Sequence, residues 1–70
     1  MSKNKVVLFG FGGIADQAIS YYSQEYEILC YIDKDSQKWG VTKQGIGVCG
    51  PSKLDGLEYD KVVITSMYYP

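Results

Sequence analysis

Apolar residues fall in four short blocks along the chain, separated by polar or glycine-rich stretches, and each block predicts an element. Val6-Val7-Leu8-Phe9 is unbroken and rich in β-branched residues, the pattern of a strand buried on both faces within a parallel sheet. With Lys5 it forms the first predicted strand. Gly10-Phe11-Gly12-Gly13 interrupts it at once. Ile14, Ala15, Ala18, Ile19 and Tyr22 then recur at helical spacing and predict a helix from Ile14 to Ser23. Asp16 lies in its first turn, where a negative charge suits the helix dipole, and off the apolar stripe, where it is solvated. Glu25-Tyr26-Glu27 closes the helix region, and Ile28-Leu29-Cys30-Tyr31-Ile32 reads as a second buried strand. From Lys34 to Gln44 the chain is polar, with Trp39-Gly40 in its middle, and predicts loop with at most a short turn. Ile46-Gly47-Val48-Cys49 is a short strand, placed at a sheet edge by its internal glycine. Pro51-Ser52-Lys53-Leu54 suits one helical turn, opened by proline and followed by Gly56, with Leu57 packing inward. Lys61 to Ser66 is the last predicted strand.

Strand, glycine turn and helix in succession open a βαβ unit. Right-handed crossovers then order the four strands 3-2-1-4 in a parallel sheet, an α/β, Rossmann-like but partial architecture with one full helix. Gly10-x-Gly12-x-x-Ala15 fits the dinucleotide fingerprint G-x-G-x-x-G/A. Its first glycine makes the tight bend, its second admits a pyrophosphate to the backbone, and its small third residue lets helix and strand pack closely. The free amides around Gly12, Gly13 and Ile14 would face a phosphate at the positive end of the helix dipole. Asp33 stands at the tip of the second strand, near the roughly 20-residue spacing at which a carboxylate accepts ribose hydroxyls. Thr65 and Ser66 emerge beside it, at the crevice beyond the strand ends where such folds bind ligands. Gly10, Phe11, Gly12, Gly13, Ile14, Asp33, Lys34, Thr65 and Ser66 are therefore the candidate nucleotide-binding residues, with no catalytic or metal-binding set. The ligand expected is NAD or NADP. Asp33 favours NAD, because it would repel a 2′-phosphate, while Lys34 and Lys38 soften the preference. Two plainer readings stand beside this one: a glycine turn that only connects strand to helix, and a loop acid in the turn sequence Asp33-Lys34-Asp35-Ser36.

Size and charge narrow the picture further. Seventy residues allow one small domain with a thin core. A net charge of −1 with no basic cluster gives no reason to expect nucleic acid as a partner. No apolar run approaches the roughly 20 residues of a membrane span, and the amino-terminal run is too short for a signal peptide, so no membrane insertion and a cytoplasmic location are expected. Cys30 and Cys49 sit in separate apolar runs, and with no histidine in the chain a zinc site lacks ligands; both read as reduced, packed thiols.

Lys5-Val-Val-Leu-Phe-Gly-Phe-Gly-Gly, Tyr31-Ile-Asp-Lys-Asp, Lys38-Trp-Gly, Gly45-Ile-Gly-Val-Cys-Gly-Pro51 with Leu54, and Tyr59-Asp-Lys-Val-Val-Ile-Thr-Ser66 together resemble the Rossmann-like N-terminal domains of bacterial surface-polysaccharide biosynthesis proteins. These include nucleotide-sugar dehydratases and epimerases, sugar acyltransferases, and proteins joining such a domain to a glycosyltransferase or methyltransferase. The resemblance implies an NAD(P)- or nucleotide-sugar-binding domain, with Gly10, Gly12, Gly13 and Ala15 at the phosphates and Asp33 at a ribose. The chain departs from the pattern in the bulky Phe11 within the turn, in the missing later strands and helices, and in the missing Tyr-x-x-x-Lys proton-transfer pair. It therefore reads as part of a longer protein, binding a small nucleotide without completing a catalytic site. One full helix leaves one sheet face to be covered by a second copy of the chain or by the rest of the parent protein. A scaffold used only for oligomerisation is the first alternative. Part of an S-adenosylmethionine-dependent methyltransferase is the second, weakened because Leu8-Phe9 rather than an acid precede Gly10 and Ile14 holds the third glycine position.

Overall fold

A computed structural model describes residues 3–65. The order of elements is β1 (Asn4–Phe9), α1 (Ala15–Tyr22), β2 (Tyr26–Ile32), a 3-10 turn at Ser36–Lys38, β3 (Thr42–Lys43), β4 (Ile46–Cys49), a second 3-10 turn at Pro51–Gly56, and β5 (Lys61–Ile64). The sheet runs β3-β4-β2-β1-β5. β1 pairs in parallel with β2 and β5, and β2 with β4, whereas β3 pairs antiparallel with β4.

The chain is thus mixed α/β with a mostly parallel sheet, and this corrects the expected four-stranded, wholly parallel order 3-2-1-4. The difference lies in the polar stretch expected to be loop. There Gln44 and Gly45 take positive φ values of 54° and 81° and link β3 to β4 in a two-residue hairpin, pairing Thr42 with Gly47 and Lys43 with Ile46. Such hairpins require positive φ at both central residues, and the usual sequence signal is Asn-Gly or Asp-Gly. Gln-Gly carries no such signal. The Gln44 side chain holds the unusual backbone in place by donating to the Asp16 carboxylate at 2.8 Å and to the Asp16 carbonyl at 3.1 Å. Asp16 is therefore exposed but engaged, and the Gln44 and Lys43 contacts hold its carboxyl below the usual range.

Element ends also moved slightly. Ile14 and Ser23 cap α1 rather than belong to it, and Tyr26 and Glu27 extend β2 by pairing with Asn4 and Lys5. Both faces of the central strands are buried. Val6, Leu8, Tyr31 and Val48 pack against Ala15, Ala18 and Ile19 of α1, while Val7, Cys30 and Ile32 pack on the other side with Phe9, Leu29, Cys49, Leu54 and Leu57. The second 3-10 turn and the residue after it therefore supply a thin cover, through Leu54 and Leu57, where no α-helix lies among the described residues. The pairing of β1 with β2 shifts between Val6 and Val7, so that Val6 faces Ile28 but Val7 faces Cys30. Leu29 is the extra residue of this bulge, and the shift puts Tyr31 on the helix side beneath the glycine turn.

Candidate functional site

The carboxyl ends of β1 and β2 and the residue after β5 converge on the glycine turn. Gly10 has φ 99°, a left-handed conformation open to glycine at little cost, and its amide donates to the Ile32 carbonyl at 2.7 Å. Its carbonyl accepts from the Thr65 hydroxyl at 2.9 Å. That hydroxyl also lies 3.2 Å from the Phe9 carbonyl and 2.7 Å from the Tyr31 hydroxyl. Carbonyls only accept, so Thr65 spends its proton on the turn and Tyr31 donates to Thr65. Tyr31 is completely buried, and burial pushes its phenol above the usual range.

Phe11, out of place in the fingerprint, has a structural reason. Its ring is half-buried and meets the Tyr31 ring edge to face, with centroids 5.2 Å apart. Its peptide is tied at both ends: the amide donates to Asp33 Oδ2 at 2.8 Å, and the carbonyl accepts from Lys38 Nζ at 2.8 Å. Lys38 Nζ also lies 3.7 Å from Asp33 Oδ2. The second oxygen of Asp33 accepts the Asp35 amide at 2.8 Å, and its carbonyl accepts the Trp39 indole N–H at 2.7 Å. Asp33 thus organises its own loop and fastens that loop to the glycine turn.

Beyond Phe11 the backbone is open. Gly12, Gly13 and Ile14 are exposed, and among the described residues their amides donate to no backbone or side-chain acceptor. The amino end of α1 has no side-chain cap. Unpaired amides at the positive end of a helix are suited to an anionic oxygen. A Cβ added at Gly12 or Gly13 would meet no atom within 4 Å, so the absence of side chains there leaves the amides open to approach rather than relieving a clash.

Residues 2–70 match the model of the family described as C2185-like, N-terminal. The chain belongs to that family. Among solved structures, this C2185-like domain is similar to the UDP-D-quinovosamine 4-dehydrogenase from Vibrio fischeri, with 32% sequence identity and a TM-score of 0.67. The similarity covers 79% of the domain and 47% of the Vibrio fischeri chain, so the domain matches about half of that protein. No curated protein sequence matches.

Of the residues singled out from the sequence, Gly10, Phe11, Asp33 and Thr65 are joined directly by hydrogen bonds, and Gly12, Gly13 and Ile14 continue the same turn. Lys34 is exposed, and Lys38 rather than Lys34 reaches the turn. Ser66 lies outside the described residues. Sequence reasoning left out Tyr31, which carries the Thr65 bond, and Trp39, which braces Asp33; Tyr31 within an apolar run was the one sign that a buried hydroxyl needed a partner. No helix among the described residues is long and apolar enough to cross a membrane.

Proposed function

We propose that this C2185-like domain is the nucleotide-binding module of a nucleotide-sugar enzyme, with a Rossmann-like crevice that takes NAD(P) or a nucleotide-sugar. The observation that carries the reading is the pairing of unpaired Gly12–Ile14 amides at the start of α1 with a carboxylate at the tip of β2, held together by the Phe11–Asp33 bond. The likeness to an enzyme whose name specifies a UDP-sugar substrate supports the same ligand class. In this reading the amides receive phosphate oxygens, and the Asp33 loop receives the ribose. NAD is favoured over NADP because the Asp33 carboxylate opposes a 2′-phosphate, although Lys38 offsets part of its charge. The proposed setting is a cytoplasmic protein of surface-polysaccharide biosynthesis, whose reaction is completed by residues outside this chain.

Calorimetric titration with NAD, NADP and a UDP-sugar tests the assignment. Half of a dinucleotide fold offers one mononucleotide's contacts, so dissociation constants on the order of 0.1–1 mM are expected. Gly12→Val should abolish binding, since its added side chain enters the open space before the amides rather than the core. Unchanged affinity in that variant would overturn the assignment, and tighter NADP than NAD binding would overturn the preference. A second reading, association with a second copy, is favoured by one observation: Ile64 is 60% exposed and Val62 36% exposed on edge strand β5.

A further inference from the structure

Trp39 is the only tryptophan in the chain, and its indole is held at two points and its backbone at a third although 44% of the residue is exposed. The ring nitrogen donates to the Asp33 carbonyl at 2.7 Å. Its backbone amide donates to the Ser36 carbonyl at 3.2 Å and closes the first 3-10 turn. The six-membered ring lies against Gly50 so closely that a Cβ there would stand 2.7 Å from Cζ2 and 3.0 Å from Cε2 and Cη2. Only glycine at position 50 lets the ring rest there. A large aromatic that the fold fixes in this way yet leaves partly in water is unlike an ordinary core residue, which gains its stability from full burial.

Its place matters as much as its rigidity. Asp33 follows β2 and Gly50 follows β4, so Trp39 sits over the carboxyl ends of two adjacent parallel strands. Two hydrogen bonds connect it to the glycine turn, from Trp39 Nε1 to Asp33 O and from the Phe11 amide to Asp33 Oδ2, so ring and turn are parts of one braced assembly. The indole N–H is already committed and one face of the six-membered ring lies on Gly50, so what a ligand can use is the opposite face. Stacking on that face recognises a planar base and carries little base preference.

We infer that Trp39 is the platform on which the base of the bound nucleotide stacks, with Gly50 setting the tilt of the ring. This inference rests on the nucleotide-binding reading and adds to it the subsite that separates a nucleotide from a bare phosphate. Because no second tryptophan contributes to emission, indole fluorescence reports the subsite directly.

The chain is titrated with ADP, UDP and inorganic pyrophosphate, followed by calorimetry and by Trp39 emission. ADP and UDP should quench the indole and bind about 5- to 150-fold more tightly than pyrophosphate, the range expected for one base stacked on an aromatic ring. Trp39→Leu should bring nucleotide affinity down toward that of pyrophosphate and lower pyrophosphate affinity far less, the small loss there coming from the missing bond to Asp33, and Trp39→Phe, which lacks that bond but keeps an aromatic face, should restore most of the difference. Gly50→Ala, which keeps the indole but displaces it, should weaken the two nucleotides more than pyrophosphate. Equal affinities for nucleotide and pyrophosphate, or full nucleotide affinity in Trp39→Leu, would overturn the platform and leave the phosphate site standing. Failure of all three probes to bind would overturn both.

Discussion

Replacing Thr65 with valine keeps the shape of the side chain and removes one oxygen, and the structure gives that oxygen three neighbours. In the native chain Tyr31, completely buried, donates to Thr65, and Thr65 donates to the Gly10 carbonyl. In Thr65→Val the Tyr31 hydroxyl loses its acceptor in a place water does not reach. Leaving a buried polar group without a partner costs about 1–3 kcal/mol, so a loss of about 2 kcal/mol is expected. For a domain of this size that is a fall in Tm of about 8–16 °C. Tyr31→Phe removes the stranded group itself and lets Thr65 keep its bond to Gly10, so it should cost only about 1 kcal/mol. The double variant should then be less destabilised than the two single losses combined, because no tyrosine hydroxyl remains to be stranded. Urea and thermal unfolding of the four proteins, followed by circular dichroism, measure all three quantities. A Thr65→Val protein within about 0.5 kcal/mol of the native one, or strict additivity in the double variant, would refute the reasoning.

Three further expectations rest on other parts of the molecule. Burial pushes the Cys30 thiol up to about 11 from an ordinary 9.0, and the neighbouring Cys49 adds to the shift. A group raised in the folded state stabilises below its unfolded value, so this contribution is complete below pH 9 and is lost as pH rises through 11; Tm measured from pH 8 to 11.5 should fall less steeply in Cys30→Ala, and parallel curves would count against it. Lys38→Met removes the bond to the Phe11 carbonyl and the Asp33 contact from a partly exposed lysine, so it should lower stability by no more than about 1 kcal/mol yet weaken nucleotide binding several-fold, which calorimetry would contradict by showing native affinity. Light scattering should show self-association that Ile64→Lys abolishes, whereas a native chain that remains monomeric at high concentration would remove the case for a second copy on β5.

How much of this was legible in the sequence follows from where the physics is local. Val6–Phe9 and Ile28–Ile32 announce buried strands because both their faces are covered, and Gly10 announces a bend because its φ is one that side chains disfavour. Stripe spacing likewise located α1 to within one residue at each end. The β3–β4 hairpin was illegible because Gln44 adopts its backbone conformation with help from Asp16, a contact across 28 residues that no local pattern encodes. The site divides in the same way. Gly10 to Ile14 and Asp33 could be read from motif and spacing, but the bond between Asp33 and Phe11, the reach of Lys38 and the brace from Trp39 depend on how the loop after β2 folds back. Phe11 looked like a flaw in the fingerprint until the bulge at Leu29 turned Tyr31 toward it.

The position of β1 between β2 and β5 also sets an order of events in folding. Its contacts with the β2 side close a separation of 22 residues, between Phe11 and Asp33, whereas the lock of Thr65 on Gly10 closes one of 55. Loop-closure entropy makes the longer closure more costly by about 0.8 kcal/mol, before any pairing energy is returned. The β1–β2 ribbon with α1 across it can therefore form while β5 is still unpaired, leaving one long edge of β1 open during that interval. On a ribosome the same edge stays open until Lys61–Ile64 has emerged. The glycine turn acquires its final hydrogen bond only when Thr65 arrives, so the bend that the sequence declares first is the one the folding chain completes last.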